Sequence, residues 1–342
     1  MATVAVLGAG LVGSWIVKTL SSDGYNVIAI DTNEKVLSEL NEHANTLHTA
    51  VDEEVINSLD SDVFVNALPG RIGHKIREYL VKNGKKVADL AFTPEDPSEM
   101  KEMAEKNGSC LIYDVGVAPG LSNLLLNEAI ERHGRLSLGR IRVGGNPSVK
   151  DTKWSYMAPF SPVDVIEEYT RPARIIRNGE INTLPALSER CIFEVEGRGE
   201  MEAFLTDGLR SVLVTIDAEE LIEATVRWPG HIDMYLQNRD HLSEDELVDA
   251  WLWNPDVSEF TWMEVYTKGN GSTTWVLDDE GRETGSSMAR TTGAITCAVV
   301  KFLLSNDELI GIYPPEGIGK QLLEICLDEY SKHGIKLTEI KN

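Results

Sequence analysis

The chain has 342 residues, too many for one typical core, so its length predicts two domains. Lysine and arginine total 32 against 55 aspartates and glutamates, a formal net charge of −23 at pH 7. A field of this sign repels phosphate backbones and anionic lipid surfaces, so we expect neither nucleic acid nor a membrane as partner. With 42% hydrophobic residues and no low-complexity tract, the composition is that of a folded protein.

The four cysteines are far apart and form no C-x-x-C pair, which favours buried thiols in a reducing compartment. The first residues run directly into a strand-like segment without a basic leader, and no apolar run reaches the ~18–20 residues of a membrane-spanning helix. We therefore expect a cytoplasmic protein.

Short β-branched runs alternate with amphipathic stretches over the first 125 residues, a pattern typical of a parallel sheet with helical crossovers. The predicted strands are 3–7, 26–30, 46–50, 62–67, 86–91 and 109–115. The predicted helices between them are 11–20, 34–40, 53–59, 72–82 and 98–106. This alternation predicts an α/β fold, a doubly wound Rossmann sheet in a cofactor-binding domain of residues 1–122.

From about residue 138 the pattern changes, because three glycine-containing turns each separate two strand-like runs. The turns are Asn178-Gly179, Gly197-Arg198-Gly199 and Gly269-Asn270-Gly271, which are typical of β-hairpins. We predict a second, α+β domain over residues 123–284 with a largely antiparallel sheet, for substrate binding and dimerisation. The helical segment 285–342 is expected to pack back on the first domain.

The sequence Gly8-Ala9-Gly10-Leu11-Val12-Gly13 follows a predicted strand and opens a helix, as a dinucleotide-binding turn requires. Asp31 closes the second strand, where an acidic residue bonds the adenosine ribose and repels a 2′-phosphate. We therefore expect NAD rather than NADP, with a flavin or a methyl-donor nucleoside as alternatives. The expected contacts within the turn and its helix are Gly8, Gly10, Leu11, Val12 and Gly13.

Three further loops follow predicted strands, at the edge of the sheet where ligands of α/β proteins bind. The candidate cofactor contacts in these loops are Ala67, Leu68, Pro69, Leu90, Ala91 and Gly116. An ordinary turn between strand and helix is the alternative for each of them.

Candidate catalytic groups are few. Asp114 ends the sixth strand, where a carboxylate can hold an ammonium group or take its proton; helix capping or a buried salt bridge is the alternative. His231 lies in a Trp-Pro-Gly-His sequence that could position an imidazole for proton transfer, unless it serves only packing. No H-E-x-x-H, paired C-x-x-C or calcium loop is present, so we expect no metal and infer that the chemistry rests on the cofactor.

Arginine is the residue best suited to a bidentate grip on a substrate carboxylate. The candidate substrate contacts are Arg171, Arg174, Arg210, Arg290 and Asn123. A solvent-facing position is the alternative for the arginines.

Five segments together resemble the saccharopine dehydrogenase superfamily and, within it, the archaeal L-lysine 6-dehydrogenases. They are DVGVAPGLSN (114–123), IEEYTRPARIIRNG (166–179), TDGLR (206–210), RWPGH (227–231) and SMAR (287–290). The resemblance implies NAD-linked oxidation of the lysine ε-amine to an imine, then hydrolysis to the 6-semialdehyde, which cyclises to a piperideine carboxylate. The longer saccharopine reductases carry an extra helical domain for which 342 residues leave no room, which places saccharopine itself in doubt as the substrate.

A lysine ε-ammonium has a pKa of ~10.4 and must lose a proton before hydride can leave its carbon. Asp114 or His231 would accept that proton, and Arg174 first, Arg171 next, would hold the α-carboxylate. There are two alternatives to a lysine dehydrogenase. One is a dehydrogenase of another amino acid or of an opine-type amine, and the other is a catalytically silent NAD sensor. Exposed sheet edges favour a homodimer.

Overall fold

Residues 1–341 are described by a computed structural model, in which the chain divides into two units. The first unit comprises Met1–Leu124 and Ala289–His333. The second comprises Leu125–Met288 and the chain from Gly334 onward. In the described part of the chain, no helix is long and apolar enough to cross a membrane.

The first unit is built on a seven-stranded parallel sheet. Numbered in chain order, its strands are β1 (Thr3–Leu7), β2 (Asn26–Asp31), β3 (Asn45–His48), β4 (Val63–Asn66), β5 (Lys86–Asp89), β6 (Cys110–Ile112) and β15 (Gly311–Tyr313). Their order across the sheet is β15-β6-β5-β4-β1-β2-β3. From β3 to β6 this is the order of a dinucleotide-binding Rossmann sheet, so the predicted fold is confirmed, with one strand, β15, that we did not predict.

Successive strands from β1 to β6 are connected by helices, as expected of parallel pairs. The helices of this unit are α1 (Leu11–Ser22), α2 (Glu34–Leu40), α3 (Glu53–Ser58), α4 (Gly70–Lys82), α5 (Lys101–Asn107), α11 (Ser287–Ser305), α12 (Pro315–Ile318) and α13 (Lys320–Lys332). Val4, Ala5, Val6 and Leu7 of β1 are fully buried, because a central parallel strand has both faces covered.

The second unit contains a nine-stranded sheet. Its strands are β7 (Leu138–Pro147), β8 (Ala173–Arg177), β9 (Glu180–Leu184), β10 (Cys191–Val195), β11 (Gly199–Leu205), β12 (Leu221–Arg227), β13 (Glu259–Lys268), β14 (Ser272–Glu280) and β16 (Leu337–Lys341). Among the strands described here, only β7 and β12 pair in parallel, so the sheet is mixed and largely antiparallel. The three hairpins predicted from the sequence are present as the pairs β8–β9, β10–β11 and β13–β14.

The helices of this unit are α6 (Ser122–His133), α7 (Pro162–Thr170), α8 (Val212–Thr215), α9 (His231–Asn238) and α10 (Glu244–Ala250). The sheet curls strongly, since the rings of Phe193 on β10 and Trp262 on β13 lie 5.7 Å apart although three strands separate them. The final strand β16 pairs with β14, so the described residues of the segment that starts at 285 are divided between the two units instead of packing as a whole on the first.

Candidate functional site

Two glycines of the turn between β1 and α1 are required by close packing. Gly8 has a φ of +94°, and a Cβ there would lie 2.7 Å from the carbonyl oxygen of Ala67. A Cβ on Gly13 would lie 2.0 Å from the carbonyl oxygen of Gly8. The first contact fits a tight turn at Gly8, and the second fits a close approach of helix and strand at Gly13.

Gly10 differs, because a Cβ built on it meets nothing within 4 Å. Gly10 is the N-cap of α1 and supplies no side-chain hydrogen bond to the first turn of the helix. The amide groups and the dipole of this 12-residue helix therefore begin beside open space. Leu11 is 37% exposed and Val12 is half-buried at the same turn. The residues present fit the diphosphate of a dinucleotide.

Asp31 closes β2 beside this turn. Its Oδ2 accepts a hydrogen bond of 2.6 Å from the backbone N–H of Ala9, and its Oδ1 accepts one of 2.8 Å from the N–H of Asn33. The carboxylate is thus fixed against the glycine turn. It is in the position where an acidic residue meets the adenosine ribose of a dinucleotide.

The loops after β4 and β5 also contact this turn or its neighbours. Ala67 and Leu68 pack against Gly8, and Pro69 is the N-cap of α4. A Cβ on Gly73 of α4 would lie 2.3 Å from the Cβ of Ala91, so small residues allow the helix to approach the second loop. Leu90 adjoins Ala91 and donates its N–H to the carbonyl of Asn66.

A buried polar network beneath these loops was missed by the sequence analysis. Arg77 of α4 and Asp89 of β5 form an ion pair and are both fully buried. Asn66 at the end of β4 is buried as well and donates to Asp89 over 2.9 Å. An arginine in an amphipathic helix normally faces solvent, so the sequence carries no signal for this pair apart from an aspartate at a strand end.

Asp114 follows β6 and has a φ of +54°, in the left-handed region that few residues other than glycine adopt. Its side chain is 5% exposed. Pro119 has a non-helical conformation, and α6 begins at Ser122. Gly116 has an extended backbone, and a Cβ there would lie 3.0 Å from the carbonyl oxygen of Pro119. The turn after β6 is therefore tightly constrained around Asp114.

Two of the expected substrate contacts point into the protein. Asn123 is fully buried; its Oδ1 accepts from the N–H of Gly120 at 3.2 Å and its Nδ2 donates to Glu316 at 3.2 Å. Arg290 is 2% exposed and donates to the carbonyl oxygen of His333 at 3.0 Å. Neither agrees with the expected contact to a ligand: Asn123 braces the turn that carries Asp114, and Arg290 braces the helices at the end of the first unit.

The arginines of the second unit differ in their partners. Arg174 forms a bidentate pair with Asp207, with both N–O distances 2.8 Å, so the expectation that Arg174 would be the first to hold a substrate carboxylate is not supported. Burial first, then the neighbouring Arg210 guanidinium, lowers the pKa of Arg171. Arg210 is 8% exposed and has a φ of +55°. Arg171 and Arg210 are thus near enough to interact by charge, and Arg171 also lies 3.9 Å from the Glu167 carboxylate.

His231 lies at the start of α9 and is 2% exposed, not in an open loop. One ring nitrogen is 2.9 Å from the carbonyl oxygen of Trp154, and the other is 3.0 Å from the hydroxyl of Tyr169. Burial and the Arg227 guanidinium lower the pKa of His231 to about 3. Such an imidazole stays neutral near pH 7 and is a weak proton acceptor, which disfavours His231 as a proton shuttle.

Glu223 of β12 is a second buried titratable group that the sequence analysis did not select. Its carboxyl accepts from the Thr206 hydroxyl at 2.7 Å and from the Gly208 N–H at 3.1 Å. Burial, reinforced by the charges of Glu168 and Asp207, raises the pKa of Glu223 to about 8.

The parallel sheet, the glycine turn and the anchored Asp31 define an NAD(P)-binding Rossmann unit. Residues 3–70 match the NAD-binding domain of 3-hydroxyacyl-CoA dehydrogenase. Residues 116–335 match the saccharopine dehydrogenase C-terminal domain. The chain belongs to the saccharopine dehydrogenase family.

Individual relatives agree with this assignment. Saccharopine dehydrogenase (NADP(+), L-glutamate-forming) of Schizosaccharomyces pombe is 23% identical over 296 residues, which are 78% of this chain and 63% of that one. The chain therefore spans less than two thirds of this curated relative.

Two solved structures share the fold. Apo saccharopine dehydrogenase (L-Glu forming) from Saccharomyces cerevisiae aligns over 100% of both chains with a TM-score of 0.79 and 17% identity. Homospermidine synthase from Legionella pneumophila, in complex with NAD, aligns over 100% of this chain and 91% of that chain with a TM-score of 0.74 and 12% identity.

Proposed function

We propose that this chain is an NAD-dependent dehydrogenase that oxidises the ε-amine of L-lysine to the 6-semialdehyde, in the manner of an L-lysine 6-dehydrogenase. The observation that carries the proposal is the constrained Asp114 at the carboxyl end of the parallel sheet. The glycine turn follows β1 at the same edge, and β1 and β6 are three strand positions apart, roughly 14 Å at ~4.8 Å per strand. A dinucleotide extends over such a distance.

Asp31 supports NAD as the cofactor rather than NADP. Its carboxylate is fixed by the N–H groups of Ala9 and Asn33 and cannot swing away from the ribose position without losing both hydrogen bonds. A 2′-phosphate brought to that position would meet a fixed negative charge.

The bound cofactor would supply the acceptor for a hydride. The chain's own task is to prepare the amine, because a protonated nitrogen has no lone pair to assist the departure of hydride. Asp114 would attract the lysine ε-ammonium by charge and take its proton. The buried, neutral His231 is left out of this role, which makes Asp114 our only candidate for the base.

Within the second unit, Arg171 and Arg210 are our candidates for binding a carboxylate. Their positive charges repel one another, and an anion near both would relieve that repulsion in addition to Glu167, which lies 3.9 Å from Arg171. Arg174 is a weaker candidate, because Asp207 already occupies its bidentate face.

Saccharopine is the main competing substrate, because the curated relative and one similar structure are named as saccharopine dehydrogenases. Saccharopine is a secondary amine, so its oxidation would need the same base and the same cofactor. The two substrates differ in the charge and bulk attached to the nitrogen, which an assay separates directly.

The test follows the absorbance of reduced cofactor when the purified chain meets NAD and L-lysine, saccharopine or another amino acid. We expect turnover with lysine, and a loss of roughly 100-fold or more in kcat for Asp114→Asn with NAD binding retained. Asp60→Asn, an exposed carboxylate before β4, is the control and should behave like the parent. Turnover of saccharopine without lysine would refute the substrate, and NAD binding without any turnover would favour a sensor.

The proposed homodimer is a separate prediction. Sedimentation of the purified chain at several concentrations would reveal a species of twice the monomer mass, and a monomer throughout would contradict it.

A further inference from the structure

We propose that Arg77 is a positioning residue, which holds the loop of residues 90–93 and, through Asp89, the backbone beside Asp114. The inference rests on the proposed function, because it assumes that this loop and Asp114 belong to the site. Arg77 itself is fully buried and would touch neither cofactor nor substrate.

The hydrogen bonds of the Arg77 guanidinium join α4 to the loop. Its Nε donates to the Asp89 carboxylate, one terminal nitrogen donates to the Ala91 carbonyl at 2.7 Å, and the other donates to the Thr93 hydroxyl at 3.0 Å. His74 lies 3.4 Å from the latter nitrogen. One planar group thus fixes two positions of the loop relative to the strand that precedes it.

Asp89 extends the connection across three strand ends. Its Oδ1 accepts from the Asn66 amide at 2.9 Å, at the end of β4, and from the Ala91 N–H at 3.1 Å. Its backbone carbonyl accepts from the N–H of Val115 at 3.1 Å, one residue beyond Asp114. The ends of β4, β5 and β6 are therefore joined through one aspartate.

Stability alone does not account for this arrangement. A buried ion pair must offset the desolvation of both charges, and well-packed apolar side chains of similar volume are often as stable. An apolar side chain in place of Arg77 would donate no hydrogen bonds, so it could not fix the orientation of the loop as the guanidinium does. A Cβ on Gly73 would lie 2.3 Å from the Cβ of Ala91, so α4, which carries Arg77, packs closely against the loop that Arg77 bonds.

The test compares Arg77→Lys with the parent. Lysine keeps the charge near Asp89 but cannot reach Ala91 and Thr93 together. We expect faster amide hydrogen exchange in residues 90–93 and 113–117 of the free protein, weaker NAD binding by calorimetry, and a fall of roughly 10- to 100-fold in kcat. A double variant, Arg77→Met with Asp89→Leu, removes both charges and should fold where a single change leaves one buried charge unpaired.

Lys301→Met is the matched control. Lys301 pairs with Glu329 and Asp23 in the same unit, away from the carboxyl ends of the strands. Its loss should lower Tm while leaving exchange at the two segments and kcat as in the parent. If Arg77→Lys and the double variant both keep parental exchange there, or exchange rises while kcat and the Kd of NAD match the parent, the positioning role is wrong.

The positioning role of Arg77 and the proposed function are tested by different measurements. Whether the parent oxidises lysine tests the function; the ratio of variant to parent tests the positioning role with whichever amine the parent oxidises. The exchange measurement needs neither cofactor nor substrate, so it decides the structural half of the inference even in a parent that turns nothing over.

Discussion

Replacement of Glu223 by glutamine is predicted to stabilise the protein progressively as the pH rises. The folded chain holds the Glu223 carboxyl with a pKa of about 8, against 4.5 for an ordinary glutamate, because burial disfavours its charged form. Between these values the folded state keeps a proton that the unfolded chain releases. The stability that depends on Glu223 is therefore complete below pH 4.5 and is lost as the pH rises to about 8.

The size of the effect follows from the pKa change. At about 1.4 kcal/mol per pH unit, a rise from 4.5 to about 8 corresponds to about 5 kcal/mol of unfolding free energy, of which about 3 kcal/mol is lost by pH 7. Glutamine does not titrate, and its amide oxygen can still accept from the Thr206 hydroxyl and the Gly208 N–H. The advantage of Glu223→Gln over the parent should therefore grow by about 5 kcal/mol over this range.

Urea unfolding of parent and variant at pH 5, 6, 7 and 8, followed by tryptophan fluorescence, measures this difference at fixed ionic strength. Glu202→Gln is the matched control, because Glu202 is equally buried but accepts from the Arg190 guanidinium at 2.6 Å. That variant should lose stability, since it removes the more buried of the two carboxylate partners of Arg190, Glu202 and Asp233. An unfolding difference between Glu223→Gln and the parent that stays constant from pH 5 to pH 8 would refute the reasoning.

Four further substitutions test the site. Gly10→Ala should change stability by less than ~0.5 kcal/mol yet weaken NAD binding about tenfold or more, because its Cβ enters space that the diphosphate needs. Gly13→Ala should instead destabilise the fold by about 1–3 kcal/mol in thermal unfolding, since its Cβ would lie 2.0 Å from the carbonyl oxygen of Gly8. Equal stability and equal NAD affinity of the two variants would contradict the assignment of Gly13 to packing and of Gly10 to cofactor binding. Asp31→Asn keeps an acceptor for the glycine turn but loses the charge, so the ratio of NADP to NAD affinity in titration calorimetry should rise about tenfold, and an unchanged ratio would remove Asp31 from cofactor selection. His231→Gln should lower Tm through lost packing but leave the pH profile of kcat unshifted, whereas a missing limb in that profile would restore His231 as a proton carrier.

Features encoded by neighbouring residues were predictable from the sequence. The glycine turn is one example: it lies between a β-branched strand and a helix, so the roles of Gly8 and Gly13 depend on backbone only a few residues away in sequence or on the adjacent strand. The hairpin turn at Asn178-Gly179 is another, since Asn178 and Gly179 both adopt positive φ as such a turn requires. In contrast, β12 pairs in parallel with the distant β7 and has no turn to mark it, so it escaped prediction.

The sequence by itself determined that a strand, a glycine turn and a helix open this chain, followed by an acidic residue at the end of β2, because each depends on local conformation and alternation. Only the tertiary structure decided which polar side chains are available for chemistry. Arg77 and Arg174 are the same residue type, and each pairs with an aspartate. Arg77 is buried with Asp89, whereas Arg174 is partly exposed beside Asp207. Burial and the choice of partner are set by residues far away in the chain, and they fix both the charge and the reach of a side chain.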